Sequence, residues 1–134
     1  MLIKNRGKFI EYFEKLLIET GAREICKRCN EGEFLDSYNS KGCCNGCEYL
    51  GINGCTNKNI RCVLASCNII KDYVPSINWY LEYIQSRLYI YVYDGRRDPA
   101  HIEFPIEIPI FNPKINWEKK FREISGSIHS LNRY

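Results

Sequence analysis

Eight cysteines fall between positions 26 and 67: Cys26, Cys29, Cys43, Cys44, Cys47, Cys55, Cys62 and Cys67. Two CxxC pairs stand out, Cys26-Lys27-Arg28-Cys29 and Cys44-Asn45-Gly46-Cys47. Soft thiolates select zinc or iron–sulfur clusters, and tetrahedral zinc asks for four ligands at about 2.3 Å. A CxxC turn supplies two of them, because its thiols can share one concavity. Gly46 inside the second pair, and Asn30 and Gly32 after the first, suit the tight backbone such a turn needs. Eight thiols suffice for two four-cysteine sites, or for one site with four spares.

Three other uses of these cysteines compete. Disulfides are one; eight cysteines allow about 105 pairings. Residues 1–12 hold no apolar signal-peptide core, since Lys4, Arg6, Lys8 and Glu11 interrupt it. The expectation is therefore a reducing, cytoplasmic compartment, where stable disulfides are rare. Redox chemistry at one CxxC is another, but that motif wants a preceding strand and neither pair follows one. Inert buried thiols are the third; the glycines and charges among the cysteines argue against this for the group, with Cys43 and Cys67 the best candidates. Between metals, zinc tolerates looser spacing and leads. An iron–sulfur cluster is the alternative, although the ferredoxin-type runs are absent.

The run Cys43-Cys44-Asn45-Gly46-Cys47-Glu48-Tyr49-Leu50, then Gly54-Cys55-Thr56, then Cys62 and Cys67, resembles the bacterial and phage cysteine-cluster proteins described as iron- or zinc-chelating. Their pattern joins a CxxC, a CC pair, a Cys-x-(Tyr/Phe)-Leu step, a Gly/Asn-Cys-(Ser/Thr) step and a later cysteine. The resemblance covers about a third of the chain. It implies a metal cluster within Cys26–Cys67, leaves the ligand set open and brings no single activity with it. The expected arrangement is a closed, structural site with one or two zinc ions. Cys26, Cys29, Cys44 and Cys47 form one set; Cys55, Cys62 and either Cys43 or Cys67 are further ligands.

The elements that must position these thiols are legible in the apolar periodicity. The chain has 134 residues, enough for one domain with its own core. Its fold class is expected to be α+β, with the Cys-rich metal region at about 22–70 and a helix, a β-hairpin and a closing helix at about 75–134. Phe9, Ile10, Phe13, Leu16 and Leu17 form one stripe of a helix over 4–20, capped by Asn5 and ended by Gly21. Residues 31–41 read as a polar loop. Thr56 is the expected cap of a short helix over 57–66 carrying Cys62. Cys67 lies about 140° further round, so the two share a metal only if the helix ends between them. Ser76 is expected to cap a helix over 77–86, with Ile77, Tyr80, Leu81 and Ile84 inward and Pro75 blocking extension.

The period then drops from 3.6 to 2. Leu88, Ile90 and Val92 alternate with Arg87, Tyr89, Tyr91 and Tyr93, which predicts a strand. After a turn from Asp94-Gly95 to Asp98-Pro99, a second strand alternates Ile102, Phe104, Ile106, Ile108 and Ile110 with His101, Glu103, Pro105, Glu107 and Pro109. Its prolines make it an edge strand. Asn116 caps a last helix whose core face is Trp117, Phe121, Ile124, Ile128 and Leu131.

The function expected is a small metal-stabilised binding protein acting through protein contacts, with a phage or mobile-element regulator or inhibitor as a fitting setting. The alternative is a zinc-containing nucleic-acid-binding protein, with bases stacked on Tyr89, Tyr91 and Tyr93 and phosphates met by Arg87, Arg96 and Arg97. A net charge of only +3 gives that alternative little general support. An iron–sulfur redox or sensor protein is the third reading. His101 and His129 lack HExxH or nucleophile-elbow context, and no phosphate-binding glycine loop or deaminase signature occurs, so the sequence leans away from an enzyme. No apolar run approaches the length of a membrane span.

Overall fold

The computed structural model describes residues 1–40, 42, 50–51, 54–55, 59–89 and 102–132; for 50–51, 54–55 and 125–132 it describes the backbone alone. The chain is mixed and mostly helical, with small two-stranded antiparallel sheets.

Helix α1 (Arg6–Glu19) starts where the sequence indicates. Asn5 is extended, and its side chain accepts the Lys8 N–H at 2.9 Å, satisfying one of the orphan donors of the first turn. Phe9, Phe13 and Leu17 are buried, and Ile10 and Leu16 pack at the edge of the core. Gly21 takes φ +87°, the left-handed bend that turns the chain directly into α2 (Ala22–Asn30). This is the first correction: the first CxxC, read from the sequence as a tight turn, lies inside a helix. Ala22, Ile25 and Cys29 are its buried positions. They fall at i, i+3 and i+7, a helical stripe once cysteine is counted as a small hydrophobe.

The segment expected as a loop contains a single helical turn, α3 (Leu35–Tyr38), anchored by buried Phe34. Strands β2 (Leu50–Gly51) and β3 (Gly54–Cys55) pair antiparallel. Helix α4 (Ile60–Leu64) is capped by Asn59, whose Oδ1 accepts the Cys62 N–H at 2.9 Å, so the cap lies three residues beyond the expected Thr56. Helix α5 (Asn68–Tyr73) has no counterpart in the sequence reading. Its cap is Cys67, whose sulfur accepts the Ile70 N–H at 3.4 Å. Sulfur is a weak acceptor, and a cysteine cap carries no familiar sequence signature.

Helix α6 (Pro75–Arg87) begins with Pro75 at its first position, where a missing N–H costs nothing, so proline starts this helix rather than Ser76. Ile77, Tyr80, Leu81 and Ile84 are fully buried. The helix also runs further than expected. Leu88 caps it and Tyr89 sits at φ +57°, 69% exposed, so no strand begins at Leu88. Leu88 continues the stripe of Ile77, Leu81 and Ile84 at helical spacing, and that period wins over alternation.

The second expected strand is confined to β4 (Ile106–Glu107), following the cis Phe104–Pro105 peptide. It pairs antiparallel with β1 (Leu2–Ile3), in the register Leu2↔Glu107 and Ile3↔Ile106. The expected common inward face therefore breaks: Ile108 is buried, while Ile110 is 62% exposed. Pro105 and Pro109 remove ladder donors on both sides of β4. Helix α7 (Trp117–Asn132) is capped by Asn116, which accepts the Lys119 N–H at 3.0 Å.

Tyr80 is the hub of the core. Its ring lies 4.8 Å from Trp117, 5.2 Å from Phe111 and 5.9 Å from Phe13. Its hydroxyl donates to the Pro109 carbonyl at 2.7 Å and sits 3.0 Å from the Tyr12 hydroxyl. With that proton committed, Tyr12 must be the donor of the pair; the Tyr12 oxygen in turn accepts the Phe111 N–H at 3.1 Å. Burial pushes the Tyr80 phenol well above its ordinary range. No helix among the described residues is long and apolar enough to cross a membrane.

Candidate metal centre

Cys26 and Cys29 stand three residues apart on α2, neighbours on consecutive turns of one helix face. Cys29 is buried and Cys26 half-buried. Each thiol has a polar companion. The Cys29 sulfur lies 3.3 Å from the Ser40 hydroxyl. Cys26 interacts electrostatically with the Arg23 guanidinium, one turn earlier on the same helix.

Arg23 ties three helices together at this point. Its Nε reaches both Glu14 carboxylate oxygens on α1 at 2.9 Å, and Nη2 also pairs with Glu14. The same Nη2 lies 3.4 Å from the Cys62 carbonyl on α4. Burial works against this cation, but the Glu14 carboxylate and then Cys26 hold its pKa above the ordinary arginine value. A fixed positive charge therefore stands beside Cys26.

Ser40 and Gly42 lie against the end of α2. The Gly42 N–H donates to Ser40 Oγ at 3.3 Å, so one hydroxyl touches both Cys29 and Gly42. Gly42 has φ +94°, and a Cβ there would come within 2.7 Å of the Asn30 Cα. Only glycine allows the backbone to lie this close to the end of α2.

Cys62 and Cys67 belong to a second corner. The α4 helix ends between them, the condition under which the two could face one ion. One face of α6, at i, i+4 and i+7, clamps this corner. Asn78 Oδ1 accepts the Cys67 N–H at 3.1 Å; Glu82 accepts the Ser66 hydroxyl at 2.8 Å; Gln85 Nε2 donates to the Leu64 carbonyl at 2.6 Å. Asn78 and Gln85 are buried, and each is satisfied through this contact. Tyr38 closes the side towards α3, its hydroxyl donating to Asp72 at 2.7 Å. That bond first, and then burial, push the Tyr38 phenol up to about 12.

Cys43, Cys44 and Cys47 lie outside the described residues, and Cys55 is described in backbone only, within β3. Among the described residues, no group of three or more His, Cys, Asp or Glu side chains is placed to hold a metal ion. Cys26 and Cys29 are brought together; a complete site needs ligands from the Cys43–Cys55 stretch. Thiolates aided by a hydroxyl and a guanidinium suit a soft divalent ion.

No family model, curated protein or solved structure matches this chain.

For the nucleic-acid alternative, Tyr89 is exposed, while Arg87 is occupied by the Tyr83 hydroxyl at 3.2 Å. Tyr91, Tyr93, Arg96, Arg97 and His101 lie outside the described residues, and the His129 side chain is not described. Sequence reasoning passed over Arg23, Ser40, Asn78 and Gln85. The i, i+4, i+7 placing of Asn78, Glu82 and Gln85 on an otherwise apolar helix was the available signal. Arg23 and Ser40 had none, since both act through tertiary contacts.

Proposed function

We propose that this chain is a small zinc-stabilised binding protein, whose metal is structural and coordinatively closed and whose action is through protein contacts. The observation that carries this reading is the pairing of Cys26 and Cys29 one turn apart on α2, with the Cys29 sulfur against the Ser40 hydroxyl at 3.3 Å. Cys44 and Cys47, which lie outside the described residues, complete the set in this reading. Cys55, Cys62 and either Cys43 or Cys67 are the further ligands. The motif resemblance to iron- or zinc-chelating cysteine-cluster proteins supports the same reading, and a phage or mobile-element regulator or inhibitor fits the small size. When bound, zinc would cross-link α2 to the Cys43–Cys55 stretch, contributing folding free energy as structural zinc does.

Mass spectrometry after alkylation tests this on the full chain kept under reductant. With zinc bound, Cys26, Cys29, Cys44 and Cys47 should resist iodoacetamide. A strong chelator should expose all four, and returning zinc should protect them again. Equal alkylation with and without zinc would rule the site out.

A further inference from the structure

The Arg28 side chain leaves α2 for an aromatic enclosure at the surface. Its guanidinium lies 5.5 Å from the ring centres of both Phe34 and Tyr73, and its Nε donates to the Glu33 carboxylate. Tyr38 stands edge-on to Phe34, with ring centres 5.6 Å apart, and its hydroxyl bond to Asp72 ties α3 to α5. Aromatic faces with a carboxylate beside them are what guanidinium recognition needs: the rings attract the cation and the carboxylate takes its N–H groups. We infer that this enclosure is a docking surface for an arginine side chain of a protein partner, with Arg28 as the resident group that the incoming arginine displaces. The inference rests on the reading of the chain as one that acts through protein contacts, and not on its metal.

The resident contact is loosely held. The Arg28 and Glu33 side chains are 36% and 46% exposed, and water competes for exposed ion pairs and cation–π contacts alike. The surroundings are apolar and open: Tyr73 is 49% exposed, and Leu35, next to Phe34, is 43% exposed. Exposed aromatic and aliphatic side chains beside a cation-binding face are what a partner covers. Charge selects the partner's sign. Residues 31–38 hold Glu31, Glu33 and Asp36, all exposed, and no base. Asp72 adds a fourth exposed carboxylate, in a chain of net charge +3. This face therefore has the sign opposite to the chain as a whole, which draws a basic partner here.

Nuclear magnetic resonance titration of the full chain with acetyl-Gly-Arg-Gly-amide tests this. The citrulline peptide, which keeps the shape and loses the charge, is the control. The arginine peptide should move the ring resonances of Phe34 and Tyr73, and the citrulline peptide should not. Arg28→Ala empties the enclosure and should tighten binding about threefold or more, since the peptide no longer competes with a resident cation. Lys27→Ala removes the same charge from the neighbouring exposed position and should change affinity by less than about twofold. Tyr73→Ala should abolish the Phe34 shift, and Tyr73→Phe should restore it, because a phenyl face also attracts the cation. No ring shift in either wild type or Arg28→Ala would overturn the docking surface. Binding no tighter in Arg28→Ala than in Lys27→Ala would overturn it too, tracing the effect to net charge. Thiols that zinc protects, without ring shifts, would overturn this surface alone; ring shifts with thiols that zinc leaves reactive would overturn the metal alone.

Discussion

Replacing Gly42 by alanine probes the bend packed against the end of α2, and three glycines allow its cost to be separated into parts. Gly21, Gly32 and Gly42 all have positive φ, at +87°, +89° and +94°. A left-handed alanine costs about 1–2 kcal/mol, partly offset by the ~0.4–1 kcal/mol gained from a stiffer unfolded chain. At Gly21 and Gly32 a new Cβ meets nothing within 4 Å, so only that backbone cost applies. Their alanine variants should each lose about 1 kcal/mol. At Gly42 the Cβ would come within 2.7 Å of the Asn30 Cα, a backbone atom of α2 that cannot swing aside. Overpacking adds about 1–3 kcal/mol, for a total near 2–4 kcal/mol. Urea unfolding followed by circular dichroism, with unchanged slope, measures the three variants on one scale. The gap between Gly42→Ala and Gly32→Ala should exceed about 1 kcal/mol. It should widen with zinc present, since a metal that binds only the folded form adds stability in proportion to its affinity. A Gly42→Ala variant no worse than Gly32→Ala would mean that residue 42 is not packed on α2, and the bend would lose its place in the site.

Tyr80→Phe keeps the ring but removes the hydroxyl that serves Pro109 and receives Tyr12; a loss of about 2 kcal/mol is expected by denaturant titration. Asn78→Ala strips the acceptor from the Cys67 N–H, costing about 1–3 kcal/mol, and should speed alkylation of Cys67. The Tyr38 phenol is pushed up to about 12, chiefly by Asp72, against roughly 10 in the unfolded chain. The folded state thus holds this proton more tightly. Its contribution to stability is complete below about pH 10 and is lost as pH rises towards about 12. A difference phenolate titration of wild type against Tyr38→Phe should place the missing ionisation at that upper limit; a difference centred near 10 would contradict the Asp72 bond.

The parts of the fold that periodicity could reveal are those where one face is apolar and the cap is a residue of familiar type. α1 with Asn5, the buried side of α6 and α7 with Asn116 are of this kind. α2 was hidden because its stripe ends in Cys29, which reads as a ligand before it reads as core. α5 was hidden because its cap is a thiol. Leu88 satisfied both the helical period and the alternating one, and only packing against the rest of the core decides between them. The likeness of residues 102–110 to a long strand came from alternation alone; the prolines that punctuate it also limit its pairing to Ile106–Glu107. At the site, the thiols themselves were visible by type. What surrounds them was not, since Glu14 meets Arg23, and Ser40 meets Cys29 and Gly42, only after α1, α2 and the following turn have packed.

Elemental analysis of freshly purified, reduced protein, with a count of reactive thiols beside it, bears most directly on the zinc centre. One or two zinc ions per chain, with at least four thiols that become reactive only after chelation, is the expected result. Metal-free protein whose thiols react at once, or whose sulfurs are joined in disulfides, would contradict it.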